Sequence, residues 1–130
     1  MEKQVRVLIV DDEPLVLSCV VNSLRAQRFQ NIHTAATALH ARALFHAERF
    51  DVVLCDISLP DGDGRQLLRE ALAINPHMHA VLMSGFLYDG LMIPADLYGK
   101  LEFLAKPFTH DELCAILSAK KHVPCLQHER

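Results

Sequence analysis

The chain is 130 residues long, the size of one domain rather than two. With 51% hydrophobic and 22% charged residues it carries enough apolar material to bury a core, which excludes wholesale disorder. A net charge of −3, no Trp and only 6% aromatic residues leave neither the basic surface nor the stacking platform of a nucleic-acid binder.

The N-terminus runs through Val5–Val10 directly into acids, without the apolar core and small-residue cleavage site of a secretory leader. No apolar stretch approaches the roughly 20 residues that cross a bilayer. Cys19, Cys55 and Cys114 sit in apolar stretches, and with Cys125 they form no CxxC pair. Buried free thiols are the reading that follows, which suits a reducing, cytoplasmic setting and no membrane.

Short apolar runs alternate with segments of helical period. The first run, Val5–Val10, precedes Asp11-Asp12-Glu13-Pro14, a helix start. Leu17, Val20, Val21 and Leu24 then recur on one helix face, and Asn31 marks the turn out. Ile32–Ala35 is the second run. Thr37 is placed to cap a helix facing inward through Ala41, Leu44 and Phe45. Val52–Cys55 is the third, followed by a turn-rich stretch with Pro60, Gly62 and Gly64. A helix traced by Gly64, Leu67, Leu68 and Ala71 then runs to Asn75-Pro76. Ala80–Met83 is the fourth run. After it, Gly85, Gly90, Pro94 and Gly99 allow at most a short or irregular helix. Leu101–Ala105 is the fifth, and Thr109-His-Asp-Glu112 forms a capping box for a last helix facing inward through Leu113, Ile116 and Leu117.

Five runs of this kind predict an α/β domain, doubly wound around a parallel sheet covered on both faces. The domain spans 4–121, and 122–130 reads as a tail or the start of a linker.

Ligands of open α/β sheets bind beyond the carboxyl ends of the strands. Those ends carry Asp11 and Asp12, then Asp56, then Ser84-Gly85, then Lys106-Pro107. Each has a bland reading: an N-cap, a loop cap, an ordinary turn. Together they put three carboxylates, a hydroxyl and an ammonium on one rim. Acids that close repel one another and call for a positive partner. A hard cation such as Mg²⁺ fits, since it takes oxygen ligands, and Lys106 and Ser84 suit phosphoryl oxygens.

The stretches LIVDDEP (Leu8–Pro14), VVLCDISLPDGDG (Val52–Gly64), VLMSG (Val81–Gly85) and FLAKPF (Phe103–Phe108) resemble the response-regulator receiver domain of two-component signalling. The resemblance implies a flavodoxin-like five-stranded sheet of order 2-1-3-4-5. It also implies that Asp56 accepts a phosphoryl group from the phosphohistidine of a histidine kinase or histidine phosphotransfer protein. Asp12, Asp56 and the main-chain carbonyl of Ser58 then ligate Mg²⁺, and Asp11 holds metal-bound water. Ser84 and Lys106 bind phosphoryl oxygens, Lys106-Pro107 is cis, and Ser84 with Phe103 forms the switch that signals to an output domain or partner. Such a chain is a phosphoacceptor rather than a turnover enzyme, acting as a monomer or weak dimer. It is expected to be a piece of a longer regulator or hybrid kinase, the alternative being a single-domain regulator. The irregular fourth segment weakens the dimer seen in many receivers, and Phe86, with Ser58, is placed to shield the acyl phosphate from water.

Two other classes are alternatives. An Mg²⁺-dependent aspartyl phosphatase needs a second acid two positions beyond its nucleophile, where Ser58 stands. A degenerate receiver acting only as an interaction module would lack a member of the acid pocket. The eight histidines (33, 40, 46, 77, 79, 110, 122 and 128) show no ligand spacing and read as surface residues, and no phosphate-binding glycine motif is present.

Overall fold

The computed structural model describes residues 4–85 and 93–118. The elements follow the apolar runs: β1 (Arg6–Val10), α1 (Pro14–Ala26), β2 (Asn31–Ala35), α2 (Ala38–Ala47) and β3 (Val52–Asp56) come first. A two-residue antiparallel ladder, β4 (Ser58–Leu59) with β5 (Gly62–Asp63), leads into α3 (Gly64–Ile74). Then come β6 (His79–Ser84), β7 (Leu101–Ala105) and α4 (His110–Ser118). The main sheet is parallel throughout, in the order β2-β1-β3-β6-β7. With the ladder set aside, this is the flavodoxin-like order 2-1-3-4-5.

Near-continuous apolar strands are what a sheet with two covered faces requires. Leu8, Val10, Val53, Cys55, Ala80 and Leu82 point into a core shared with α2 and α3. Their neighbours Val7, Ile9, Val52, Leu54, Val81 and Met83 point into a second core, closed by Val20 and Leu24 of α1 and Leu113 and Leu117 of α4.

The capping residues act as their types dictate. Thr37 accepts from the His40 N–H (3.1 Å), and Asp63 from the Arg65 N–H (2.8 Å). Thr109 and Glu112 exchange hydrogen bonds with each other's N–H (3.0 and 2.8 Å). Between β6 and β7, the described part of the irregular segment is a short 3-10 turn at Ala95–Leu97 after Pro94. Asp96 in that turn ties to Arg69 of α3 (2.8 and 3.0 Å).

Several details differ from the sequence reading. The chain leaves α1 through Arg28, at φ 73°, and Asn31 already belongs to β2. Cys19 is exposed, because it lies off the Val20–Leu24 stripe of α1. Cys55 is a buried free thiol, whereas the buried Cys114 is disulfide-bonded rather than free. His79 is buried rather than on the surface, because β6 has a strand on each side and a covered face above and below. Phe86, Gly90, Cys125, His122 and His128 lie outside the described residues. None of the described helices is long and apolar enough to cross a membrane.

Candidate functional site

Four strand ends deliver the site. Asp11 follows β1, and its N–H donates to the Ala35 carbonyl (3.0 Å), holding the end of β1 against β2. Its side chain is fully buried. Oδ1 accepts from the Glu13 N–H (2.9 Å), and Oδ2 accepts from Lys106 Nζ (2.6 Å). Asp12, next in the chain, points outward and is exposed. Asp56 closes β3, half-buried. Ligand oxygens of Asp11, Asp12 and Asp56 lie within 4.8 Å of one another.

Lys106 leaves the end of β7 through a cis bond to Pro107, and its N–H donates to the Ser84 carbonyl (2.7 Å). The ammonium reaches Asp56 Oδ2 at 3.4 Å and Glu13 Oε1 at 3.7 Å besides its contact with Asp11. Among the described residues, Lys106 therefore faces three acids, and Asp12 stands beside two of them. Burial pushes the Asp56 carboxyl above the usual range and the charge of Asp11 adds to it, while Lys106 and the Ser58 N–H pull it back incompletely. Burial alone would lower the Lys106 ammonium. Its hydrogen bond to Asp11 and the charges of Asp56, Asp11 and Glu13 outweigh that and raise it.

Ser84 ends β6, buried, at the head of a cleft of about 940 Å³ that also takes in Asp56 and Lys106. Leu15, Val16 and Cys19 of α1 line one side of it, Pro107 and Phe108 the other. Ser58 is exposed at the rim. Phe103 lies half-buried in the middle of β7, packed on the α2–α3 core. An all-oxygen, net-negative corner suits a hard cation. An ammonium and a hydroxyl at the same corner suit an anionic group.

A family model described as the response regulator receiver domain matches residues 7–118. The chain belongs to that family. Among its relatives, the chemotaxis protein CheY of Listeria monocytogenes is 27% identical over 112 residues, covering 86% of this chain and 94% of that protein. The sporulation initiation phosphotransferase F of Bacillus subtilis is 31% identical over 122 residues, covering 92% and 94%. A crystal structure of a response regulator receiver domain protein from Clostridium thermocellum superposes with TM-score 0.77 at 27% identity, covering 88% of this chain and 92% of that one.

In this receiver the acids, the serine and the lysine singled out in the sequence converge on one corner. Three contributors escaped the sequence reading. Glu13 was read as part of a helix start, yet it faces Lys106. Gly64, expected at the turn and start of the third helix, does open α3, and a Cβ there would stand 1.9 Å from the Asp56 carbonyl oxygen. Asp61 accepts from the Ala38 and Leu39 N–H groups (2.7 and 3.0 Å). The short spacing of acids and glycines in Pro60-Asp-Gly-Asp-Gly64 was the available signal for the last two.

Proposed function

We propose that Asp56 is the phosphoacceptor of this receiver. The observation that carries the reading is the contact of Lys106 Nζ with both Asp11 and Asp56 beside buried Ser84, at the corner where three carboxylates meet. In the transfer, an Asp56 carboxylate oxygen forms a bond to phosphorus as the P–N bond to a partner's histidine breaks. The leaving nitrogen keeps the electron pair, and the proton already carried by the other ring nitrogen makes the departing imidazole neutral.

Asp11, Asp12, Asp56 and the Ser58 carbonyl are the groups that would hold Mg²⁺. When bound, the ion offsets the negative charge that carboxylates and phosphoryl oxygens bring together. Lys106 donates to one phosphoryl oxygen and Ser84 to another. The added charge of about −1.5 to −2 draws both side chains and biases Phe103 between outer and inner positions.

The donor is a histidine kinase or histidine phosphotransfer protein, and the reader is an output domain or partner protein. The chain acts in the cytoplasm on proteins rather than nucleic acid or membrane, as a monomer or weak dimer. It changes its own phosphorylation state and turns over no separate substrate.

The test is intact mass after incubation with Mg²⁺ and acetyl phosphate. One phosphoryl adduct is expected, dependent on Mg²⁺ and absent in Asp56→Asn. Steady release of inorganic phosphate from unrelated phosphoesters would favour a phosphatase. No adduct at any Mg²⁺ concentration would overturn the reading.

A further inference from the structure

The loop after Asp56 is tied down at its far end and at its tip. At its far end, Gly64 donates to the Ile57 carbonyl (2.6 Å) and lies so near the Asp56 carbonyl that no side chain fits there. At its tip, the Asp61 carboxylate spans two successive N–H groups at the start of α2, Ala38 with one oxygen and Leu39 with the other. Gly62 packs so closely on the same place that a Cβ would lie 3.2 Å from that of Ala38.

The first helical N–H groups have no partners within their own helix. Thr37 serves the His40 N–H from within the chain segment, and Asp61 serves the two before it from 23 and 22 residues away. The Ser58–Asp63, Leu59–Gly62 ladder closes this loop and begins two residues after Asp56.

We infer that Asp61 is a positioning residue: by capping α2 across the fold it sets the loop that carries the Ser58 main chain, and with it the corner that takes Mg²⁺. This rests on the phosphoacceptor reading for its consequence, but not for the tie itself. The hydrogen bonds to α2 also hold the Asp61 carboxyl below the usual carboxylate range, so the tie is intact at neutral pH.

The experiment compares Asp61→Ala, Asp61→Asn and Thr37→Ala in the whole chain. Thr37→Ala removes a cap from the same helix end without touching the β3–α3 loop. Amide chemical shifts followed during titration with Mg²⁺ alone give its dissociation constant. Asp61→Ala is expected to weaken Mg²⁺ binding about tenfold, the low end for a residue supporting a metal corner from outside. Asp61→Asn, which keeps one acceptor, is expected to recover part of the loss, and Thr37→Ala to leave the constant unchanged. Hydrogen exchange at the Ser58 and Leu59 amides should quicken in Asp61→Ala only.

Equal Mg²⁺ constants in Asp61→Ala and Thr37→Ala, or unchanged exchange in the loop, would reduce Asp61 to an ordinary cap and overturn the inference. If wild type bound Mg²⁺ and responded this way but took no phosphoryl group, the functional reading would fail while the positioning role stood. If wild type bound no Mg²⁺, slower loop exchange in wild type than in Asp61→Ala would still support the tie, and its role at a metal corner would be refuted.

Discussion

Lys106→Met removes the cation of the site while keeping most of the aliphatic stem. In the native chain Nζ lies 2.6 Å from Oδ2 of fully buried Asp11, 3.4 Å from half-buried Asp56 and 3.7 Å from the more exposed Glu13. Breaking a buried pair by deleting one partner costs about 3–5 kcal/mol, because the other charge is left uncompensated. Only Asp11 is fully shielded from water, and its Oδ1 keeps the Glu13 N–H, so the low end, about 3 kcal/mol, applies in metal-free buffer. At an m-value of about 1.5 kcal/mol per molar, the urea midpoint should fall by about 2 M. Millimolar Mg²⁺, which wild type and variant can both bind, should narrow the gap by substituting one positive charge for another.

The pH dependence has a definite sign. Because the Lys106 ammonium titrates higher in the fold than in the unfolded chain, its contribution is whole below the ordinary lysine value of about 10.4 and is lost as pH climbs through the raised one. The difference between wild type and variant should therefore hold from pH 6 to 9 and shrink only in the alkaline range. Equal midpoints for the two proteins in metal-free buffer at pH 7 would refute the claim that the ammonium holds the acid cluster together.

Asp56→Asn should be more stable than wild type in metal-free buffer at pH 7. The fold raises the Asp56 carboxyl, so wild type loses stability as pH rises from the unfolded-state value of about 3.9 through the raised one, and the variant's advantage should grow over that interval in urea melts at successive pH. Gly64→Ala should destabilise by about 3 kcal/mol, the upper end for overpacking, because the nearest atoms are the Asp56 carbonyl rather than a flexible side chain; slower labelling by acetyl phosphate should accompany the lower melting temperature. Leu117→Ala opens a space under α4 beside Leu113 and should cost about 2–5 kcal/mol by denaturant unfolding, with little change in phosphoryl uptake at a temperature where the variant stays folded. Thr109→Ala should cost about 1 kcal/mol, since it removes one half of a capping box.

What could be read in the sequence was local. Runs such as Val52–Cys55 declare a strand buried on two faces because no residue in them seeks water, and Thr109 with Glu112 declares a helix start because the two satisfy each other within one turn. The fourth segment was legible as irregular for a similar reason, since Pro94 cannot continue a helical turn. The site was legible because α/β sheets gather their strand ends, so Asp11, Asp56, Ser84 and Lys106 needed only to follow their runs.

What the tertiary structure decided are matters of contact between distant residues. Exposure of Cys19 depends on which stripe of α1 meets the sheet, and burial of His79 on β6 having neighbours on both sides. That Lys106 grips Asp11, 95 positions away, more tightly than Asp56 follows from where β1 and β7 end across the sheet. That Asp61 caps a helix other than the one it precedes follows from the close seat of Gly62 on Ala38. Residue type and order establish which groups reach the rim; hydrogen-bond partners there are chosen by distances of a few tenths of an ångström, which only the packed chain sets.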